Sequence, residues 1–375
     1  MRVIVSPVGI STFFNILKRD EAELRSIIKK HSNDAKLDAA ILDEIETLSL
    51  RAQEYLESAT VQERRRLSAE LNGLYGFYEN QMQANQDIHI LISTDTELGR
   101  QAAQTVEYFL KTTIGFQNVQ IIHPSGLHTA SVADFSRGIK ELLNTFEELL
   151  PGYAESGYEI IFNLTGSFKS LQGYLSIIGM FYADRLVYIF EQSEELLTIP
   201  QLPLRIDEQA LNQYSSELAL LAAGGVYQRD QVHLPDALLE VDKGNDVMMS
   251  DWGQLLWNRI KTRFLSESLL EFPYLAYDKS FHKDFRAAEK SARVAVQETL
   301  ARASVLLQES HGDIVALKKD SGLKYDIYSG QSSSATIGHF RIDRANRITC
   351  IFADGKLHLR HFGSHNYTEE KEGIR

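Results

Sequence analysis

The sequence predicts a mixed α/β protein in which a parallel sheet forms first and a smaller α+β domain follows. Three observations carry this prediction. Short apolar runs alternate with helical patterns over the first 200 residues, prolines interrupt that alternation at 200–203, and four short β-rich runs lie at 324–361. Repeated βα units are typical of a doubly wound, Rossmann-like sheet, because parallel neighbours need a crossover helix.

Composition limits the classes of function. The chain has 375 residues, 43% of them hydrophobic and 24% charged, as in soluble proteins with two or three domains. The one cysteine, Cys350, excludes a disulfide framework and a site built from several thiolates, and it favours a cytoplasmic location. No apolar run is long enough to cross a bilayer, so no membrane partner is expected.

The net charge of −12 is unevenly distributed. Residues 263–375 carry 17 Lys and Arg against 15 Asp and Glu, which leaves 22 against 36 for residues 1–262. We therefore expect a polyanion to be met by the C-terminal part of the chain.

The predicted strands of the first domain are 3–5, 88–92, 119–122, 158–162 and 186–190. Between the first two strands, residues 19–85 carry apolar positions at i, i+3 and i+4, a pattern that predicts charged amphipathic helices. This helical insert has no role that its sequence assigns.

Polar turns follow three of these strands, and the most informative is the turn 163–169, which reads NLTGSFK and opens an apolar helix. Because carboxyl ends of parallel strands share one edge of a sheet, we expect these turns to meet at a ligand site. Free backbone N–H groups, hydroxyls and a lysine suit a phosphate. Helix capping is the competing interpretation of the hydroxyls, and it weighs about equally for Ser11, Ser93 and Thr94. The candidate binding residues are Gly9, Ser11, Thr12, Ser93, Thr94, Asp95, Asn163, Thr165, Gly166, Ser167, Phe168 and Lys169.

The segment VGIST after the first strand and the turn NLTGSFK resemble the CARF domain, a CRISPR-associated Rossmann-like sensor of cyclic oligoadenylate. Ser167 stands where the family usually carries a second glycine. The resemblance covers residues 1–203 and implies a homodimer that binds a cyclic RNA ring on its twofold axis. The ring, most commonly cyclic tetra-adenylate, would be an activator and not a catalytic cofactor.

Residues 204–264 predict helices and a short hairpin at 238–249. We interpret this segment as a helical connector, with a winged-helix-like module as the alternative.

The last domain, 265–375, predicts a short strand, two helices and β runs at 324–328, 336–342, 347–352 and 356–361. Asp354 and Gly355 predict a hairpin turn, because this pair tolerates the positive φ angles of a two-residue loop. The run GHFRIDRANRITCIFADGKLHLRHFGSHNYTEE, preceded by strand, helix and helix, resembles the RelE family of mRNA-cleaving toxins. The resemblance implies an α+β domain that cuts mRNA in the ribosomal A site without a metal, by attack of the RNA 2′-hydroxyl.

The candidate catalytic residues follow from that resemblance, position by position. Arg341 matches a basic residue of the first strand, Arg347 the arginine of the next, His365 an Arg or His position and Tyr367 the terminal aromatic. Asp343 replaces a second lysine, so Arg344 or His339 is expected to supply the missing charge. Arginine can grip a phosphate with two hydrogen bonds, and histidine suits proton transfer near neutral pH. The competing interpretation is that Arg341 and His339 share a solvated face of their strand.

Together these features predict a cytoplasmic, cyclic-oligoadenylate-activated endoribonuclease of type III CRISPR immunity. It would cut mRNA on the ribosome, inhibit translation and use no metal. One alternative is a ligand-responsive CARF transcription factor that binds DNA through 204–264, although the acidity of that segment opposes duplex DNA. Another is slow cleavage of the ring by Ser11, Thr12 and Lys169.

Overall fold

A computed structural model describes residues 1–166, 168–190, 194–241, 244–328 and 336–374. The chain divides into two compact units, Met1–Arg205 and Ile206–Arg375. Within the described ranges, no helix has both the length and the apolar character needed to cross a membrane.

The first unit is built on a six-stranded sheet with the order β3-β2-β1-β4-β5-β6. Its strands are β1 Arg2–Pro7, β2 Ile88–Ile92, β3 Asn118–Ile122, β4 Glu159–Asn163, β5 Arg185–Ile189 and β6 Leu196–Pro200. All neighbours are parallel except β6, which runs antiparallel to β5. The predicted parallel α/β sheet is thus confirmed. Strand order reverses between β1 and β4, so the loops after these two strands diverge and leave a crevice at their carboxyl ends.

Eight α-helices are described in this unit, and they pack on the sheet. They are α1 Ser11–Ile16, α2 Ala22–Lys30, α3 Ala39–Ser58, α4 Val61–Leu67, α5 Ala69–Phe77, α6 Glu97–Tyr108, α7 Val132–Glu155 and α8 Lys169–Tyr182. A π-helical turn, Phe109–Ile114, continues α6. Helices α2 to α5 form the helical insert, and buried residues such as Ile45 and Leu74 join the same core as Ile4 and Leu91 of the sheet. The insert is therefore part of the first unit's core.

The second unit contains two small sheets, a three-stranded one with the order β7-β9-β8 and a five-stranded one with the order β10-β14-β13-β12-β11. The strands are β7 Tyr227–Gln228, β8 Leu239–Val241, β9 Asp246–Met249, β10 Leu275–Tyr277, β11 Asp326–Ile327, β12 Ile337–Arg341, β13 Asn346–Ala353 and β14 Lys356–Ser364. The helices are α9 Glu208–Leu211, α10 Ser215–Ala222, α11 Asp251–Glu267, α12 Lys279–Ala287, α13 Lys290–Glu309, α14 Val315–Lys319 and α15 His365–Lys371.

The last part of this unit follows the element order expected from its sequence: a short strand, two main helices and an antiparallel meander. Strand β10 pairs in parallel with β14, and β11 to β14 are antiparallel neighbours. The turn between β13 and β14 has φ of 51° at Asp354 and 72° at Gly355, which confirms the predicted hairpin.

One hydrophobic core extends through the second unit, from Leu218 and Trp257 to Phe281 and Cys350. The segment that the sequence analysis interprets as a connector, 204–264, therefore shares a core with the segment that follows it. Cys350 lies on β13 and is fully buried, and this burial raises the pKa of its thiol.

Candidate functional site

A cavity of about 530 Å³ lies at the carboxyl edge of the parallel sheet. Its walls come from the loops after β1, β2 and β4, the start of α8, the end of β5 and the helical insert. Among the residues predicted from sequence, the ones that line it are Gly9, Ser11, Thr94, Thr165, Phe168 and Lys169. Ser167 lies outside the described residues. The volume falls in the range of small-molecule sites, about 300–1,000 Å³.

Two hydroxyls of this cavity have no protein partner. The Ser11 Oγ and the Thr165 Oγ1 are buried and make no hydrogen bond in the described part of the chain. Helix capping does not account for Ser11, because it is the first residue of α1 and no side chain caps that helix. Buried hydroxyls normally have a partner, so both are available to a ligand.

Lys169 supplies the positive charge of the cavity. It is the first residue of α8, and no ion pair within the described ranges involves it. The preceding loop is held by Gln172, whose Nε2 donates to the carbonyls of Leu164 (3.0 Å) and Gly166 (2.9 Å). Gln172 of α8 therefore anchors Leu164 and Gly166 of the preceding loop next to the helix that Lys169 begins.

Glu70 of α5 ties two loops of the rim together. Its Oε1 accepts a hydrogen bond from the backbone N–H of Gly9 (2.8 Å), and its Oε2 accepts one from the Ser68 hydroxyl (2.7 Å). A Cβ at Gly166 would collide with this carboxylate, so only glycine fits there without movement. Sequence reasoning missed Glu70, because nothing in an amphipathic helical pattern marks one acidic residue as buried.

Several predicted residues support the loops and do not line the cavity. Asn163 is buried, and its Nδ2 donates to Ser6 Oγ (3.2 Å) and to the Glu70 carbonyl (3.0 Å). Thr12 is also fully buried. Asp95 accepts from the Gly126 N–H (2.9 Å) and pairs with Arg100 (3.1 Å).

Ser93 shares a hydrogen bond with His123 at the end of β3. Burial, and then the nearby Arg100, lower the pKa of His123. A neutral imidazole nitrogen can accept a hydrogen bond from the Ser93 hydroxyl, so Ser93 needs no ligand as a hydrogen-bond partner.

Sequence reasoning also missed half of the cavity wall. Most of it comes from the insert, the loop before α7 and the end of β5, with one residue each from the loop after β1 and from α8. The missed lining residues are Ile10, Ser32, Asn33, Ala69, Asn72, Thr129, Gln172, Tyr188, Ile189 and Phe190. Asn33 and Asn72 lie in the helical insert, far from the strand ends on which the prediction was based.

A second group of predicted residues meets on one face of the five-stranded sheet. Arg341 of β12 lies directly opposite Arg347 of β13, and His339 lies two residues before Arg341 on the same face. No ion pair in the described part of the chain involves Arg341, Arg347 or Arg344, which is exposed in the intervening turn. These guanidinium groups are therefore available to an anion.

Histidines complete this group. His339 is buried and stacks on Tyr328, with ring centroids 4.2 Å apart. Burial, then Arg347, and to a smaller extent His365, lower the pKa of His339 to about 4. His365, the first residue of α15, has its Nδ1 3.3 Å from Glu369 Oε1. His339, Arg347 and His365 are thus close enough to influence one another, and His339 is uncharged at neutral pH.

Tyr367 belongs to a different network. Its hydroxyl donates to Asp284 Oδ1 (2.7 Å), and burial and this bond raise its pKa to about 12. Asp284 also contacts His361, whose Nδ1 lies 2.9 Å from Oδ2. Sequence reasoning missed Asp284 and His361, because they come together only when α12 packs beside β14.

Asp343 has a local role. Its carboxylate accepts from the backbone N–H groups of Ala345 (2.6 Å) and Asn346 (2.8 Å), which closes the turn between β12 and β13. In the described residues, no group of three or more His, Cys, Asp or Glu side chains could hold a metal ion. Metal independence itself stays a prediction.

Comparison with known proteins gives one family. Residues 65–202 match the family described as CRISPR-associated protein (Cas_APE2256). No curated protein matches the chain. Among solved structures, the chain is similar to Can2 from Sulfobacillus thermosulfidooxidans in complex with cyclic tetra-adenylate, with 11% identity, a TM-score of 0.24, and coverage of 100% of this chain and 84% of that one. A likeness at that TM-score is too distant to inform the fold or the function. Over the segment that holds β2 to β6 and the turn 163–169, this chain is therefore similar to a family of CRISPR-associated proteins.

Proposed function

We propose that this protein is a CRISPR-associated sensor and effector: its first unit binds a cyclic oligoadenylate, and its second unit is a RelE-like endoribonuclease that the ligand activates. The observation that carries the proposal is the cavity at the crevice between β1 and β4, where Lys169 and the unpartnered hydroxyls of Ser11 and Thr165 line one wall. A lysine and hydroxyl donors suit the phosphodiester anions of such a ring. The match of residues 65–202 to a CRISPR-associated family supports the CRISPR-associated part of the proposal.

The size of the cavity favours two copies of the chain for each ring. A volume of about 530 Å³ suits one drug-sized group, and a ring of four nucleotides is larger. A ring with twofold symmetry presents equal phosphates to two identical cavities. We therefore propose a homodimer that binds cyclic tetra-adenylate.

The second unit supplies the groups that RNA cleavage needs. Attack by the 2′-hydroxyl requires loss of its proton, neutralisation of the pentacovalent phosphate, and a proton for the leaving 5′-oxygen. Arg341 and Arg347 lie on adjacent strands and form no ion pair within the described ranges, and preorganised donors at a developing charge contribute on the order of 3 kcal/mol each. His365 is the histidine assigned to proton transfer. His339, neutral and stacked on Tyr328, is better suited to contact a base.

The assignment of Tyr367 changes accordingly. Because its hydroxyl is bonded to Asp284, we propose that it positions the start of α15 and takes no part in proton transfer. That the substrate is mRNA in the ribosomal A site rests on the resemblance to the RelE family, as does the absence of a metal. The element order strand, two helices and meander supports that resemblance.

Ligand binding is tested by calorimetric titration of the full-length protein with cyclic tetra-adenylate. We expect binding by the wild type and at least tenfold weaker binding by Lys169→Ala, because a hydrogen bond to a charged group contributes about 1.5–3 kcal/mol. Lys111→Ala, which removes a surface lysine paired with Glu107, is the matched control and should bind normally. Equal affinities for all three proteins would contradict the binding site.

Cleavage is tested by translation of a reporter mRNA in a bacterial cell-free extract, with and without the ring. We expect cut mRNA only when protein and ring are both present, and none with Arg347→Ala. Arg286→Ala, which removes an exposed arginine of α12, should cut as the wild type does. Tight binding to duplex DNA without RNA cleavage would instead favour a transcription factor that acts through 204–264.

A further inference from the structure

The helical insert forms one wall of the cavity that holds Lys169. Ser32 and Asn33 come from the connection between α2 and α3, and Ala69 and Asn72 come from α5. This wall differs from the start of α8, which supplies Lys169, because it carries side-chain amides and no charge. The amides of Asn and Gln are among the side chains with which proteins recognise adenine.

The amide of Asn72 is held in one orientation by a buried arginine. Arg65 is 7% exposed, and its Nε donates to Asn72 Oδ1 at 2.7 Å. Its other nitrogens donate to Asn80 Oδ1 (2.7 Å) and to the Glu194 carbonyl (3.0 Å). Because a guanidinium has donors only, the atom it contacts must be the amide oxygen. The amino group of Asn72 is then the donor that remains, and no hydrogen bond in the described part of the chain uses it.

Asn33 shows the same arrangement. Its Oδ1 accepts from the Thr129 hydroxyl (2.8 Å) and from the Thr129 backbone N–H (3.3 Å). Its amino group is likewise unused within the described ranges. Two amides of the insert thus have their oxygens occupied by protein donors and their amino groups left for the cavity that they line.

We propose that this amide wall, Asn33 and Asn72, selects adenine as the base of the bound ring. The inference rests on the proposed function, in which a cyclic oligonucleotide occupies this cavity. Adenine offers acceptors at N1, N3 and N7, whereas guanine and hypoxanthine carry an N–H at N1. A fixed amino group facing N1 can therefore donate a hydrogen bond to adenine. In guanine and hypoxanthine it would face the N1–H, and the amino group and the N1–H would both be left without a partner. Lys169 contacts phosphate, and a phosphate contact carries no base information.

The test compares two rings of equal charge, cyclic tetra-adenylate and cyclic tetra-inosinate, by calorimetry with the full-length protein. Asn72→Asp keeps the oxygen that Arg65 needs, so the fold is retained, but it replaces the amino donor with an acceptor. We expect the wild type to prefer the adenine ring by at least tenfold and Asn72→Asp to lose most of that preference. Asn118→Asp, at the exposed start of β3, adds the same charge and should keep the preference.

The outcomes separate the two proposals. A wild type that binds neither ring contradicts the proposed function. A wild type that binds both rings equally, or an Asn72→Asp variant that keeps the wild-type ratio, overturns the amide wall and leaves the cyclic-nucleotide site in place. Thermal melting of each variant checks that a lost preference is not a lost fold.

Discussion

At the scale of single residues, the hydroxyl side chains at the rim of the parallel sheet have different roles. The Thr96 hydroxyl caps α6 by accepting from the Gly99 N–H at 3.0 Å, whereas the Ser11 and Thr165 hydroxyls have no protein partner in the described ranges. The difference arises from position within the turn. A hydroxyl one residue before the helix meets the free N–H groups, whereas Ser11 lies within the first turn of α1 and Thr165 lies four residues before α8 begins.

Gly166 should be sensitive to the smallest possible substitution. In Gly166→Ala the new methyl group would collide with the Glu70 carboxylate, and Glu70 also holds the N–H of Gly9. We expect a loss of about 1–3 kcal/mol in the free energy of unfolding, measured by urea denaturation, together with weaker ring binding. The control is Gly173→Ala in α8, where a Cβ meets nothing within 4 Å and should stabilise the helix by about 0.5–1 kcal/mol. Equal stability of the two variants would contradict the close packing of Glu70.

His89 of β2 should make the first unit sensitive to acid. Burial lowers its pKa to about 4, against 6.5 for the free side chain. Between these values the unfolded chain binds more protons than the folded one, so the free energy of unfolding is highest above pH 6.5 and falls as the pH drops through this window. Over the whole window the free energy of unfolding falls by about 3 kcal/mol.

His89→Leu should remove that slope while keeping an apolar side chain in the core. The pKa of His339 in the second unit is also lowered, so the measurement must report on the first unit alone. Hydrogen exchange of peptides from β1 to β3 at pH 7 and pH 5, corrected for intrinsic rates, provides it. A wild type and a variant with the same pH dependence would show that His89 is not the group that titrates.

The sequence predicted the binding loops better than the individual contacts. Ser11, Thr165 and Lys169 line one cavity, as residues at the strand ends of a parallel sheet can, and their contact with a ligand stays a prediction. Asn163 was predicted with them, yet it is bonded to Ser6 and Glu70. The reason lies in α5, where Gly73 lets the helix approach Asn163 closely. Such an approach joins residues some 90 positions apart, and no local pattern reports it.

At the scale of elements, a buried carboxylate links the end of helix α15 to its sheet. The Glu372 side chain is fully buried; it accepts from the Thr349 hydroxyl (2.7 Å) and from Arg360 Nε (3.0 Å). The same helix begins at His365 and carries Glu369. The position of His365, a candidate catalytic group, therefore depends on an ion pair at the far end of its helix.

We expect Glu372→Gln to weaken the attachment of α15 to the sheet, and so to lower RNA cleavage without changing ligand binding. The substitution removes the charge that pairs with Arg360, and we expect a loss of about 1–3 kcal/mol in the free energy of unfolding. RNA cleavage should fall at least tenfold, while the affinity for the ring stays that of the wild type. Glu370→Gln, on the exposed face of α15, should change neither quantity. Full cleavage by Glu372→Gln would show that α15 does not position the site.

The elements themselves differ in how well their sequence predicted them. The hairpin at Asp354 and Gly355 carries its own signal, since that pair permits positive φ. Strand β6 carries no such sequence signal, because most of its residues are exposed. Its last residue, Pro200, is interpreted from sequence as a domain boundary. An edge strand with solvent on both faces shows no alternation of apolar and polar positions.

At the scale of the whole molecule, the chain combines a cavity that we propose to bind a ring in one compact unit with arginines in the other that form no ion pair within the described residues. A ligand that binds only the folded first unit must stabilise it, by about 2.7 kcal/mol at a concentration of 100 times Kd. We expect cyclic tetra-adenylate to slow hydrogen exchange in peptides that contain Ser11 and Lys169. The Lys169→Ala variant should show no such protection at the same concentration, and protection in both proteins would place the ring elsewhere.

The single thiol of the chain offers a way to follow the other unit. Cys350 is enclosed between β12 and β14, so iodoacetamide can alkylate it only while that sheet is open. The alkylation half-life thus reports the opening of the second unit alone, and no label has to be introduced. A change in the alkylation half-life of Cys350 when a cyclic nucleotide is added would show that ligand binding alters the stability of this sheet, in a measurement that needs no RNA substrate.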